Sequence, residues 1–249
     1  MRPALASVAF VAVLVGALLA TMGSAVTPSD HANDHNDRIR LESSGNRALW
    51  SSVWSVKEVR PVAKETAPRA PLPVDTDWDY QLGAPRKVPD HVGVVLRDRS
   101  ARPVPGRYNI CYVNAFQTQP DERRFWKSHP GLVLRRNGHP VIDSAWGEKL
   151  LDIRKQALRQ RLARIVGRWM KGCADDGFDA VELDNLDSFS RSHHLLKKRH
   201  AKAFARTLTR RAHRLGLSVG QKNWASFDGR RVGFDFAIAE ECGQWRECG

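Results

Sequence analysis

From Trp78 onward, short apolar runs that end in polar residues alternate with longer amphipathic stretches. The runs are WDYQL (78–82), VGVVL (92–96), YNICYVNA (108–115), KLLDI (149–153), FDAVELD (178–184), LSVGQKN (217–223) and FDFAIAE (234–240). Continuous apolar runs of this length read as strands buried on both faces, as parallel sheets require. Between them, 155–171 puts Leu158, Leu162, Ile165, Val166, Trp169 and Met170 on one helical stripe, with Arg159, Arg161, Arg164 and Arg168 on the other faces. Residues 199–214 repeat the pattern with Phe204, Ala205, Leu208 and Ala212, and Gly216 supplies a stop. Strand-helix alternation implies a parallel sheet. Seven strand candidates with polar C-terminal ends predict an α/β fold of the (β/α)8 TIM-barrel type. A doubly wound open sheet is the alternative, weakened because no Gly-rich phosphate loop occurs. The count stops at seven, so the barrel is read as incomplete, its last β/α segment missing.

A chain of 249 residues suits one such domain. Residues 1–25 read as a signal peptide: Arg2, an apolar run from Ala4 to Ala20, then Gly23-Ser24-Ala25 for cleavage. An uncleaved anchor is the runner-up, since the run approaches the length of a membrane span. Residues 26–73, with KETAPRAPLP, read as an irregular linker or N-terminal extension, and 74–249 as the barrel domain. The expected location is secreted and extracellular, with envelope anchoring as the variant. The formal net charge is +13; Arg2 is the only charge in the signal, so removing it leaves +12. Such a balance suits nucleic acid or an anionic surface. The basic residues are dispersed over helical faces and the chain is read as exported, so no nucleic acid partner is expected. Association with an anionic cell envelope and a monomeric state are. Four cysteines in an exported chain fit disulfides, with three pairings possible. Cys242 and Cys248 are near enough to staple a loop. Cys111, inside an apolar run, reads as a free buried thiol.

Catalytic groups of a parallel barrel sit at strand C-termini. Those ends carry Asp79 with Gln81, Asp98, Tyr112 with Asn114, Asp152, Glu182 with Asp184 and Asn185, Lys222 with Asn223, then Glu240 and Glu241. Carboxylates and amides bond to sugar hydroxyls, and aromatic faces stack on sugar rings. Hydrolysis of a glycosidic bond uses two carboxyl groups across it, one of them holding a proton. A strand has period two, so Glu182 and Asp184 point the same way. Alternatively, acids at a strand end cap the next helix or bind a cation. No metal or other cofactor is expected. The histidines 193, 194, 200 and 213 lack partners at metal-ligand spacing, and Ca²⁺-loop spacing is missing.

The segments ICYVNA, LLDI, GFDAVELDNLDSF, GLSVGQKN and FDFAIAEECGQWREC, in that order, resemble glycoside hydrolase family 114, the endo-α-1,4-polygalactosaminidase family of barrel enzymes. The resemblance covers roughly residues 78–249. It implies an endo-acting hydrolase of an amino-sugar-containing, polygalactosaminide-like polysaccharide, with an Asp and a Glu as its catalytic pair. Asp184 matches the Asp of the family's Asp-Asn pair and Glu240 the Glu before x-Cys; Asp184 takes the nucleophile or base role and Glu240 the acid role. Lys222 and Asn223 match a Lys-Asn that contacts substrate, and Asp187 a further motif Asp. Asp79, Tyr112, Asn114, Asp152, Glu182 and Asn185 complete the expected substrate-binding set. Three positions depart from the pattern. Gly93 and Val95 stand where the family has acids in its second strand, so a substrate-facing acid is expected to be missing, and Ala239 replaces an Asn. The alternative reading is a catalytically impaired carbohydrate-binding or cell-surface barrel remnant; a basic envelope- or nucleic-acid-binding protein is the third.

Overall fold

The computed structural model describes residues 68–240 and 242–246. The expected signal (1–25), most of the linker and Cys248 lie outside the described residues. Six parallel strands form one curved sheet in chain order: β1 (Asp77–Gln81), β2 (Val92–Asp98), β3 (Tyr108–Asn114), β4 (Ala180–Asp184), β5 (Ser218–Lys222) and β6 (Phe236–Ile238). Two long helices, α1 (Gln156–Asp176) and α2 (Lys198–Arg214), cross between β3 and β4 and between β4 and β5. This is a partial (β/α)8 barrel.

The period of two along each strand separates two cores. Val94, Leu96, Tyr108, Ile110, Tyr112, Ala180 and Ile238, with Tyr80 and Phe236, fill the concave side. Cys111, Val113, Val181, Leu183 and Val219 face the helices and join Leu162, Val166, Met170, Phe204 and Leu208 in the larger core. Side chains on the concave face therefore all carry even numbers, from Tyr80 to Ile238, and following that parity to the strand ends reaches Asp98, Asp184 and Lys222. The register puts Asn114 opposite Asp184 and Tyr112 opposite Glu182, which brings the polar ends level. Gly220 lets β5 and β6 close up: a Cβ there would lie 2.6 Å from the Phe236 ring. Helix α1 outruns the expected stripe and stops where Gly177, at φ 93°, turns left-handed and its N–H bonds to the Ala174 and Cys173 carbonyls.

Three expectations change. KLLDI is no barrel strand. Leu150, Leu151 and Ile153 are buried, but their run lies in the long excursion joining β3 to α1. Its backbone groups pair with other parts of that excursion: Leu151 N–H with the Phe116 carbonyl (3.0 Å), Leu150 N–H with Val141 (3.0 Å) and Asp152 N–H with Leu132 (2.8 Å). Burial outside the barrel ladder gave the run a strand's composition. Second, Cys111 is not a free thiol. Its parity turns it outward, and it is bonded to Cys173 on the inner stripe of α1. Cys242 is also disulfide-bonded. Third, Gly93 and Val95 have the parity of the helix-facing side, so no cleft-facing acid is lost there; Asp98 supplies that strand's acid at the mouth. Residues 68–73 have no regular structure, yet Ala70 and Leu72 pack under the concave core, and the Ala70 carbonyl accepts bonds from Ser218 Oγ (2.7 Å) and Tyr108 Oη (3.1 Å).

Candidate active site

The strand C-termini open into a cleft of about 730 Å³. Its carboxylates are Asp98, Asp121, Asp143, Glu148, Asp184, Asp187 and Glu240; its cations are Arg191 and Lys222. A chain of strongly positive net charge thus carries a mouth in which seven acids face two cations.

Lys222 is the hub. Its ammonium, with the side chain 2% exposed, lies 3.1 Å from Glu182 Oε1, 3.4 Å from Asp184 Oδ1 and 3.5 Å from Glu240 Oε2. The Asp184 and Glu240 oxygens it bridges are therefore at most about 7 Å apart, no further than paired carboxyls that act across a glycosidic bond. Lys222 also donates to Tyr80 Oη (2.9 Å), and that hydroxyl donates to Glu182 Oε1 (2.9 Å). Burial alone would lower the Lys222 pKa, but Asp184, Glu182 and Tyr80 outweigh it and hold the ammonium above the ordinary lysine range. Burial pushes the Glu182 carboxyl up, to about 7, against the opposing pull of Lys222.

Asp184 is fixed on its other side. Tyr112 Oη donates to its Oδ2 at 2.6 Å, and Asn185 Nδ2 donates to the same oxygen at 3.2 Å. Burial and the Asp184 charge drive the Tyr112 phenol far up, so it stays a donor. Asn185 sits at φ 64°, a backbone state that Asn tolerates better than most residues. The same amide nitrogen reaches Asn114 Oδ1 (3.1 Å) and Glu148 Oε2 (3.4 Å), and Asn114 Nδ2 donates to Glu148 Oε2 (2.9 Å). Burial pushes Glu148 up to about 7, with Asp184 and Asp143 adding to it and the Asn114 bond and Arg191 opposing. Asn223, also at positive φ, accepts the Glu240 backbone N–H on its Oδ1 (2.9 Å) and so places that residue at the rim. Arg191 clamps Asp187 through two nitrogens (2.9 and 3.0 Å) and ion-pairs with Asp143 (2.7 Å).

Of the expected residues, Tyr112, Asp184, Asn185, Asp187, Lys222, Asn223 and Glu240 line the cleft. Glu182 and Asn114 lie beneath it as supports. Asp79 and Asp152 are elsewhere. Asp79 has the wrong parity for the mouth and bonds Gln81 Nε2 (2.7 Å) and Arg86. Asp152 belongs to the excursion and takes both arms of Arg154 (2.9 and 2.7 Å). Burial raises the Asp152 pKa, but the Arg154 bonds prevail and hold it below the usual carboxylate range. The sequence reading missed Tyr80, one residue from Asp79, and the hairpin Ile142–Asp143/Glu148–Lys149. Strand parity could have found the first. The excursion has no periodicity that could have found the second. Among the described residues no group of His, Cys, Asp and Glu is arranged to hold a metal ion, and no helix is long and apolar enough to cross a membrane.

Residues 59–249 match the model of a protein family described as Glycoside-hydrolase family GH114. No curated protein matches the chain. Among solved structures, Aspergillus fumigatus Ega3 in complex with galactosamine is similar, at 23% identity over 74% of each chain, with a TM-score of 0.56. The glycoside hydrolase domain of PelA from Pseudomonas aeruginosa aligns at 14% identity over 66% of each chain, with a TM-score of 0.46. Ega3 shares the fold.

Proposed function

The chain belongs to glycoside hydrolase family 114, and we propose that it is an endo-acting hydrolase of an amino-sugar-containing, polygalactosaminide-like polysaccharide. One observation carries the reading: a buried ammonium bridges Asp184 and Glu240 at 3.4 and 3.5 Å in a cleft dominated by carboxylates. Two carboxyls held on opposite sides of a glycosidic bond can attack and protonate across it. The surplus acid favours a cationic sugar at contact, against the long-range repulsion of a basic chain. The galactosamine bound by Ega3 is such a sugar.

In this mechanism Asp184 is the nucleophile or the base that activates water. Tyr112 and Asn185 hold its Oδ2, and Lys222 lies against its Oδ1. Glu240, with its side chain 53% exposed, protonates the leaving oxygen from the rim. Lys222 places positive charge between the two, where negative charge moves during the reaction. Glu182 and Tyr80 hold Lys222 from below.

A second reading concerns only the proton donor. Glu148 lines the cleft, touches the amide that also touches Asp184, and titrates near 7, which suits an acid. Release of reducing ends from de-N-acetylated polygalactosamine, measured for the wild type and for D184N, E240Q and E148Q, decides. The primary reading expects D184N and E240Q to be inactive and E148Q to retain turnover. Loss in E148Q with activity kept in E240Q makes Glu148 the donor. A wild type that retains polymer and releases nothing is a carbohydrate-binding barrel instead.

We place the enzyme outside the cell as a monomer, in contact with polysaccharide and with an anionic envelope. The signal-like residues 1–25 support export, as does the Cys111–Cys173 bridge, a linkage that persists in oxidising compartments.

A further inference from the structure

We propose that Trp146 is a sugar-binding platform, a second position in the cleft that holds an aminoglycosyl ring of the polymer away from the bond being cut. The inference rests on reading the cleft as a site for glycan hydrolysis. Trp146 is 71% exposed and lines the cleft. An indole left in water at the wall of a polar cleft is apolar area that folding would otherwise bury.

The turn that carries it is fastened. Asp143, 4% exposed, accepts the Ala145 N–H on Oδ1 (3.1 Å), and its carbonyl accepts the Gly147 N–H (2.8 Å). Its Oδ2 ion-pairs with Arg191 (2.7 Å) and accepts from Gln117 Nε2 (3.2 Å), and Arg191 is held in turn by Asp187. Gly147, at φ +69°, closes the turn. A platform fixed in this way orders little on binding, which favours affinity. Two residues further on, Glu148 reaches the amide of Asn185, so the turn is tied to the Asp184 side of the cleft, while Glu240 follows β6 on the other. The chemistry fits an amino sugar twice over: the C–H face of a pyranose stacks on indole, and a cationic amine is drawn to the ring face and to the acids beside it.

The test uses the full chain with W146A and W146F on short and long oligomers of de-N-acetylated galactosamine. W146A should raise KM on long substrates about 5- to 10-fold, with kcat little changed and the shortest cleaved substrate unaffected. W146F should stay near wild type. An unchanged KM at every length, or a loss confined to kcat, overturns the platform. If the wild type releases no reducing ends, the hydrolase reading has failed by itself. Calorimetric binding of the long oligomer then reads the platform: weaker binding by W146A supports it, and equal binding overturns it.

Discussion

One wall of the cleft is made of strand ends and the other of an excursion. Asp184 and Lys222 end β4 and β5, where the backbone is locked in a ladder and period two dictates which way each side chain points, and Glu240 lies two residues past β6 with its N–H held by Asn223 Oδ1. Asp143, Trp146 and Glu148 stand on a short hairpin of two-residue strands in the segment between β3 and α1, held by an ion pair to Arg191 and side-chain bonds to Gln117 and Asn114. The first wall carries the carboxyl pair to which we assign the chemistry. The second supplies an acid that titrates near neutrality and an open aromatic face. A barrel can thus keep its reaction fixed and place its choice of substrate on a segment the sheet does not constrain.

The difference predicts different failures. The largest belongs to the strand-end wall: E240Q and D184N should lower kcat by at least about 10²- to 10⁴-fold, with KM little moved. K222A should do similar damage and also cost about 3–5 kcal/mol of stability, because it strands Glu182 and Tyr80 in a dry site. A denaturant midpoint unchanged from wild type would show the hub is not buried as described. The Cys111–Cys173 bridge ties β3 to the last turn of α1 across a sequence separation of 62 residues, closing a loop that contains the whole excursion. Chain entropy alone gives it about 4 kcal/mol, so the double Ser variant should melt roughly 10–15 °C lower.

Smaller effects belong to the excursion. Glu148 has a folded pKa raised to about 7, above its unfolded value. Its contribution to stability is therefore fully present below about pH 4.5 and lost as the pH rises through 7, a change of at most roughly 3 kcal/mol. Glu182 acts in the same window and direction. E148Q should flatten part of that slope in denaturant titrations; an unaltered slope would remove Glu148 as its source. The smallest change is expected of D152N. It should lose about 1–2 kcal/mol of stability with the Arg154 bonds and leave kcat and KM alone, since Asp152 does not line the cleft.

What could be read from the sequence follows the same division. The ends of FDAVELD and LSVGQKN are apolar runs turning polar, and both were placed at the mouth. The expected set takes Asp79 from WDYQL, but the parity that pairs Glu182 with Asp184 puts Tyr80 on the concave side. Cys111 and Cys173 were also legible in principle: one has outward parity on β3, the other follows Leu162, Val166 and Met170 on one helical stripe. The excursion was not. KLLDI has a strand's composition because it is buried, and its partners Phe116, Leu132 and Val141 are fixed only by tertiary packing. Glu148 and Trp146 gain meaning from where that packing lifts the hairpin.

The central claim is that a basic chain opens an acidic cleft on a cationic sugar polymer and cuts it. It is tested most directly by following reducing ends from one polygalactosamine sample before and after chemical N-acetylation. The account predicts cleavage of the cationic form, with KM rising as salt screens the cleft, and a large loss on acetylation. Equal or faster cleavage of the neutral, acetylated polymer would contradict it.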